Sequence, residues 1–241
     1  MSLLFNNNSS HAVMVVNFSS NVTRMTYSAW IYPIGAGGSN QSRVISKSSN
    51  NTGIPGIIAV STNASGVLNA VNVNHMYSTV AGIWVTTGVA IQTGQWHHLL
   101  VTYVNTDTAQ VPQIFINNSQ FTAVQVTKPV GVALTDDNIM FVGNRANRTR
   151  WFNGIISEVA CWSEVLSDEE ISLLASSRVK FTPLQVRPSN LLGYWPFDDF
   201  ANQATASGSN SLIDRSKNSN DGTPSTTATV TGTPEQVLSY Q

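Results

Sequence analysis

Gly94-Gln95-Trp96-His97-His98-Leu99-Leu100-Val101-Thr102-Tyr103, followed after a loop by Gln113-Ile114-Phe115-Ile116-Asn117-Asn118, decides the fold. The first run opens on a turn-forming glycine and continues through β-favouring residues. The second closes in an Asn-Asn turn. Two adjacent strands are expected here. Comparable short runs recur on both sides, among them 12–16, 27–32, 43–46, 56–60 and 66–71 before it and 121–126, 139–143, 154–162 and 191–197 after it. Gly, Asn, Ser or Pro punctuates nearly all of them. Many short strands without alternating helices predict an all-β sandwich or jelly roll, not a parallel α/β sheet.

One helix interrupts this pattern. Ser167 is placed as its N-cap and Glu170 three residues later completes a capping box, in which each side chain satisfies the other's backbone N–H. Asp168 and Glu169 suit the positive end of the helix dipole. Ile171, Leu174 and Ala175 form its apolar stripe, which predicts one short helix near 167–176.

The Trp-His-His strand and the strand after it resemble the centre of laminin-G-like, concanavalin A-like jelly-roll domains. Two further stretches carry the same resemblance. Gly154, Ile156, Glu158, Val159, Trp162, Leu166, Ser167, Glu170, Ile171 and Leu174 match a strand-to-helix signature of that family. Leu191 to Asp199, with Asp214 to Thr223, resemble its Tyr-Trp-Pro strand and the Asp/Asn-rich loop after it. The resemblance implies a two-sheet antiparallel jelly-roll sandwich over residues 1–223, with 224–241 as a polar tail, edge strand or arm. Residues 191–223 read as the closing strand of that sandwich, the alternative being the start of a truncated second unit. The resemblance also implies core positions for Trp30, Trp96, Trp162 and Trp195, a scaffold role for His97 and His98, and surfaces used for binding.

Composition narrows the partners. Only 10% of the 241 residues are charged, against 41% hydrophobic, and the net charge is −1. Asn, Ser, Thr and Gln must therefore supply the polar surface, and no electrostatic argument favours nucleic acid or an anionic membrane. No stretch has the run of about 18 apolar residues that membrane insertion requires. Cys161, the single cysteine, lies in the apolar run 155–162 and is expected to be a buried, inert thiol. No signal peptide is visible, and the first strand is expected to begin almost at Met1.

Few residues offer chemistry. Laminarinase-type relatives of the fold use strand-borne Glu-x-Asp-x-x-Glu carboxylates, because glycoside hydrolysis needs a paired acid and nucleophile. The glutamates here are Glu158, Glu164, Glu169, Glu170 and Glu235, and none has an aspartate two residues on. Adjacent strand residues such as His97 and His98 face opposite sides and cannot chelate one ion together. No Gly-x-Ser-x-Gly elbow is present, so a catalytic serine has no sequence support.

Two constellations remain. Asp214, Ser216, Asn218 and Asn220 place oxygen atoms at alternate positions, as calcium loops do, but an EF-hand's distal glutamate is missing. Calcium and an Asx-turn closed by its own backbone are both open readings; Asp136, Asp137 and Asn138 form a second such cluster. Glycan binding needs an aromatic face and planar hydrogen-bonding groups. Asn144, Arg145, Arg148 and Arg150 concentrate three cations beside Trp151, a combination suited to a sugar, an anionic ligand or a subunit contact. Trp84 and Tyr77 mark a second candidate surface. The expectation is a non-catalytic jelly roll contacting glycans and other protein subunits, homo-oligomeric or capsid-bound. It would sit on a virion surface or outside the cell as a decoration or adhesion component. A free, calcium-assisted carbohydrate-binding module is the alternative and a glycoside hydrolase a distant third.

Overall fold

A computed structural model describes residues 2–5, 11–16, 18, 22–47, 57–62, 68–89, 91–134, 139–176, 181–200, 205–224 and 230–231. In chain order the first strands are β1 (Leu3–Phe5), β2 (Val13–Val15), β3 (Arg24–Pro33), β4 (Gln41–Lys47), β5 (Ile57–Thr62) and β6 (Leu68–His75). They are followed by β7 (Gly82–Thr86), β8 (His97–Val104), β9 (Gln113–Ile116), β10 (Ser119–Phe121), β11 (Ala123–Thr127) and β12 (Met140–Val142). After β13 (Gly154–Trp162) come helix α1 (Asp168–Ser176), β14 (Leu191–Trp195), β15 (Thr205–Ala206), β16 (Gly222–Pro224) and β17 (Val230–Thr231).

All pairings are antiparallel and build two large sheets. The first runs β1-β13-β3-β8-β9-β10, with β14 also paired to β13. The second runs β11-β7-β6-β5-β4-β12-β2-β16, and β15 and β17 form a small third sheet. The Trp-His-His strand is β8, at the middle of the first sheet, in register with β3 (Leu99 opposite Ala29) and with β9 (Leu100 opposite Phe115). β14 pairs with β13, Trp195 opposite Val159, so the Tyr-Trp-Pro segment extends the first sheet.

Alternation along each strand puts one set of side chains between the sheets. Met25, Tyr27, Ala29 and Ile31 of β3 and Leu99, Val101 and Tyr103 of β8 meet Val71, Val73, Trp84, Met140 and Val142 of the second sheet. Tyr103 and Trp84 make one such crossing, ring centroids 5.3 Å apart. The first sheet's outer face is partly covered by α1, whose Ile171 and Leu174 pack on Leu100, Phe115, Ala160 and Trp162. The expected capping box is present: Ser167 N donates to Glu170 Oε2 at 2.7 Å and Glu170 N to Ser167 Oγ at 3.4 Å.

Several expectations are refined. Trp162 and Trp195 are fully buried, but Trp30 and Trp96 are only half-buried. Trp30 alternates with the core residues Ala29 and Ile31 and so stands on the outer face of β3; Trp96 precedes β8 and leans on Tyr32, centroids 5.6 Å apart. Cys161 is a buried free thiol whose pKa burial pushes up. Of the expected tail, Val230–Thr231 pairs with Thr205–Ala206. Residues 225–229 and 232–241, and the cluster at 136–138, lie outside the described residues.

Candidate binding site at the arginine loop

Residues 143–153 join β12 to β13 and pass beside β4 and the short 3-10 turn Gly38–Asn40. Backbone bonds seat the loop: Arg43 N donates to Arg150 O at 2.9 Å, Gly38 N to Trp151 O at 2.9 Å and Phe152 N to Gly143 O at 2.8 Å. Asn144, with 0% exposure, holds it from within. Its Oδ1 accepts from the N–H groups of Arg145 (2.9 Å) and Arg150 (3.1 Å), and its Nδ2 donates to His11 O (3.1 Å). Asn144 is thus a clamp and not a ligand-facing group, which corrects its expected role.

The three arginines and Trp151 share this loop. Arg145 Nε donates to Asn147 Oδ1 (2.6 Å) and its Nη2 to Thr149 Oγ1 (2.6 Å). Arg148 adopts a left-handed backbone, φ +60°, and holds its guanidinium 5.3 Å above the Phe141 ring. Arg150 Nη1 donates to Ser39 O. Trp151 is half-buried, and its ring lies so close to Gly38 that a Cβ there would come within 2.7 Å of it. Glycine at 38 is what lets the indole seat against this turn.

Sequence reasoning missed Arg43. It belongs to β4, a hundred residues earlier, and is only 3% exposed. Desolvation, then the charges of Arg150 and Arg145, push its pKa down to about 10. Burial also lowers the values of Arg145 and Arg148, with Arg150 adding to the effect on Arg145. Arg43, Arg145 and Arg148 remain cations at neutral pH.

Trp84 and Tyr77 do not form the second surface expected of them. Trp84 is 0% exposed and packs in the core. Tyr77 is buried too, its hydroxyl sharing a 2.6 Å hydrogen bond with that of Tyr103 and donating to Asp107 O at 3.1 Å. Burying the two large rings releases more free energy than exposing them would.

In the 214–220 loop the carboxylate that would hold a cation is already occupied. Asp214 Oδ1 accepts from Tyr194 N and Ser216 N, both at 2.8 Å; Oδ2 accepts from Ser216 Oγ and Asn220 N, both at 2.9 Å. Four donors fill the roughly four lone-pair directions of a carboxylate. Asn218 and Asn220 turn their amide N–H groups onto the Leu192 carbonyl. Residues arranged in this way do not fit calcium. Among the described residues, no group of three or more His, Cys, Asp or Glu gathers as a metal site.

One serine–histidine pair has the outline of catalytic geometry. Ser28 Oγ and His98 Nε2 share a 2.8 Å hydrogen bond beside a shallow pocket bounded by Trp30, Glu158 and Leu174. Ser28 is 2% and His98 1% exposed, and His98 Nδ1 has no partner, so no acid orients the ring. Desolvation lowers the His98 pKa to about 3 and keeps it neutral. His97 bonds Gln92 O and Asn117, a scaffold role. The described glutamates have structural partners: Tyr194 donates to Glu158, Arg24 pairs with Glu164, Ser167 donates to Glu169, and Arg187 pairs with Glu170.

Residues 6–172 match the family model Laminin_G_3, described as the concanavalin A-like lectin/glucanases superfamily. No curated protein sequence matches the chain. Among solved structures, a Bacteroides ovatus protein assigned to carbohydrate binding superposes with a TM-score of 0.61 at 16% identity, over 92% of this chain and 57% of its own. Tailspike protein 2 of the Escherichia coli O157:H7 bacteriophage CAB120 gives 0.55 at 12% identity, over 78% and 25% respectively. The heptameric SAP-like pentraxin of Limulus polyphemus gives 0.54 at 15% identity, over 72% and 78%. These likenesses are likenesses of fold.

Proposed function

The chain belongs to the concanavalin A-like lectin/glucanases superfamily, and from that premise we propose that it is a non-catalytic jelly roll that recognises glycans through the loop of residues 144–151. One observation carries the reading: a half-buried indole, Trp151, stands beside Arg145, Arg148 and Arg150 on a loop braced by buried Asn144. An aromatic face for the sugar ring and planar donors for its oxygens are what a saccharide site needs. Bracing reduces the ordering cost of binding.

The setting we propose is the exterior of a larger particle, such as a phage-type virion, where the domain acts in decoration or adhesion. A largely uncharged polar surface supports this reading, as does a fold also used by a phage tailspike protein. The non-catalytic part rests on the glutamates among the described residues, which are tied to structural partners.

A glycan array probed with wild type and Trp151→Ala tests the site. At least a tenfold loss of the bound signal is expected, and unchanged binding would clear the loop of this role. Proteomic inspection of purified particles tests the setting, since a protein found only free and monomeric is no particle component. Incubation with β-glucans should release no reducing ends.

A further inference from the structure

The chain has eight arginines, and the environments of the seven among the described residues divide sharply. Arg24, Arg187 and Arg215 each pair with a carboxylate. Arg43, Arg145, Arg148 and Arg150, which share one corner of the second sheet, pair with none among the described residues. Three of them are also short of acceptors: Nε and Nη1 of Arg43, Nη1 of Arg148 and Nε of Arg150 are buried without a hydrogen-bond partner, whereas Arg145 donates to Asn147 and Thr149.

Strand register places two of these groups on one face. Arg43 is opposite Ala59, which is opposite Asn72. Asn72 alternates with Val71 and Val73 of the core, so Arg43 stands on the outer face of the second sheet. Phe141 alternates with the core residues Met140 and Val142 and is opposite Ser46, on that same outer face, and Arg148 lies over its ring. Arg150 is bound through its backbone to Arg43.

Cations desolvated together without a counterion are unstable, and each unpaired N–H adds to the cost. Water or a neutral hydroxyl would satisfy the donors and leave the charge. An oxyanion does both, because carboxylate and sulfate oxygens accept several charge-assisted hydrogen bonds in the forked geometry of guanidinium. We infer that Arg43, Arg145, Arg148 and Arg150 form a site for the oxyanion of an acidic saccharide, a carboxylate or a sulfate ester. This rests on the glycan-binding reading of the loop and names the ligand class. Arg43 is its buried base, and Arg145 stands at the partly exposed margin.

The test is calorimetric titration of the full chain with a sulfated saccharide, a carboxylated saccharide, their neutral counterparts and inorganic sulfate. Wild type, Arg43→Gln and Arg145→Gln are compared, with Arg24→Gln as a remote control. The buried Arg43→Gln variant is checked for folding by circular dichroism, and the more exposed Arg145→Gln keeps the test valid if it fails to fold. At least one acidic saccharide should bind ten times or more tighter than its neutral counterpart, with affinity falling as salt rises. Each arginine variant should lose about tenfold in that affinity, whereas Arg24→Gln should not. Equal binding of the neutral counterpart overturns the inference and leaves the glycan reading standing. Binding of inorganic sulfate without any saccharide upholds the anion site and sinks the glycan reading. An acidic preference intact in both variants, or no binding of any anion, overturns the inference.

Discussion

Asn144 gives the arginine loop its fixed shape. One buried amide accepts from two loop N–H groups and donates to a carbonyl 133 residues away in sequence. Replacing it by Ala removes three hydrogen bonds to the backbone, each worth about 0.5–1.5 kcal/mol. Asn144→Ala should therefore lower the melting temperature by several degrees in a thermal melt; an unchanged midpoint would show that the loop braces itself another way. The local part of this site was legible because three arginines beside a tryptophan stand out in a chain with few charges. Arg43 was not legible, since only the pairing of β4 with the loop brings it there. Trp84 misled for a different reason: in Ile83-Trp84-Val85 every residue is apolar, so the sequence has no parity to say which faces inward. The register settles it, with Trp84 opposite the core residue Val73.

The loop after β14 and the cap of α1 show the same contrast among longer segments. The capping box could be read because Ser and Glu three residues apart before an apolar stripe have one common physical meaning. Removing its hydroxyl in Ser167→Ala should cost about 1 kcal/mol in a urea titration. Asp-x-Ser-x-Asn-x-Asn has two meanings, because the same alternate oxygens serve an ion or a ring of main-chain N–H groups. Which one applies depends on where the backbone points, and sequence does not show that. Here the Asp214 carboxylate is filled by four donors. Addition of calcium, or of a chelator, should leave the melting temperature where it is. Asp214→Asn should lower stability by about 1–3 kcal/mol, since its amide would turn an N–H toward donors. A calcium-dependent rise of several degrees would reverse this account of the loop.

The jelly roll as an assembled body stores its acid sensitivity in histidines closed into the sandwich. The all-β class followed from strand spacing, but which polar groups would be enclosed did not, since enclosure depends on both sheets at once. His75 sits in edge-to-face contact with Tyr77 and Tyr103, and Asn105 Nδ2 lies 3.0 Å from its Nε2. Burial, with a smaller contribution from the Lys47 charge, lowers its pKa to about 4. His98 is lowered to about 3 by burial alone. In the unfolded chain both titrate near the ordinary value of about 6.5. Between that value and the folded one, the unfolded state binds more protons, so stability must fall as pH falls. The loss begins near pH 6.5 and, for His75, is complete near pH 4; above the upper limit both groups are neutral in either state and contribute nothing. Each tenfold weakening of proton affinity on folding is worth about 1.4 kcal/mol, so His75 alone accounts for about 3 kcal/mol over this window. That is a large share of the roughly 5–15 kcal/mol that holds a domain together. Chemical denaturation at pH 7, 6, 5 and 4.5 should show unfolding free energy dropping steadily, and His75→Gln should flatten the slope by about one proton's worth. Stability that stays level from pH 7 to 4.5 would mean that these imidazoles are not held neutral by the fold.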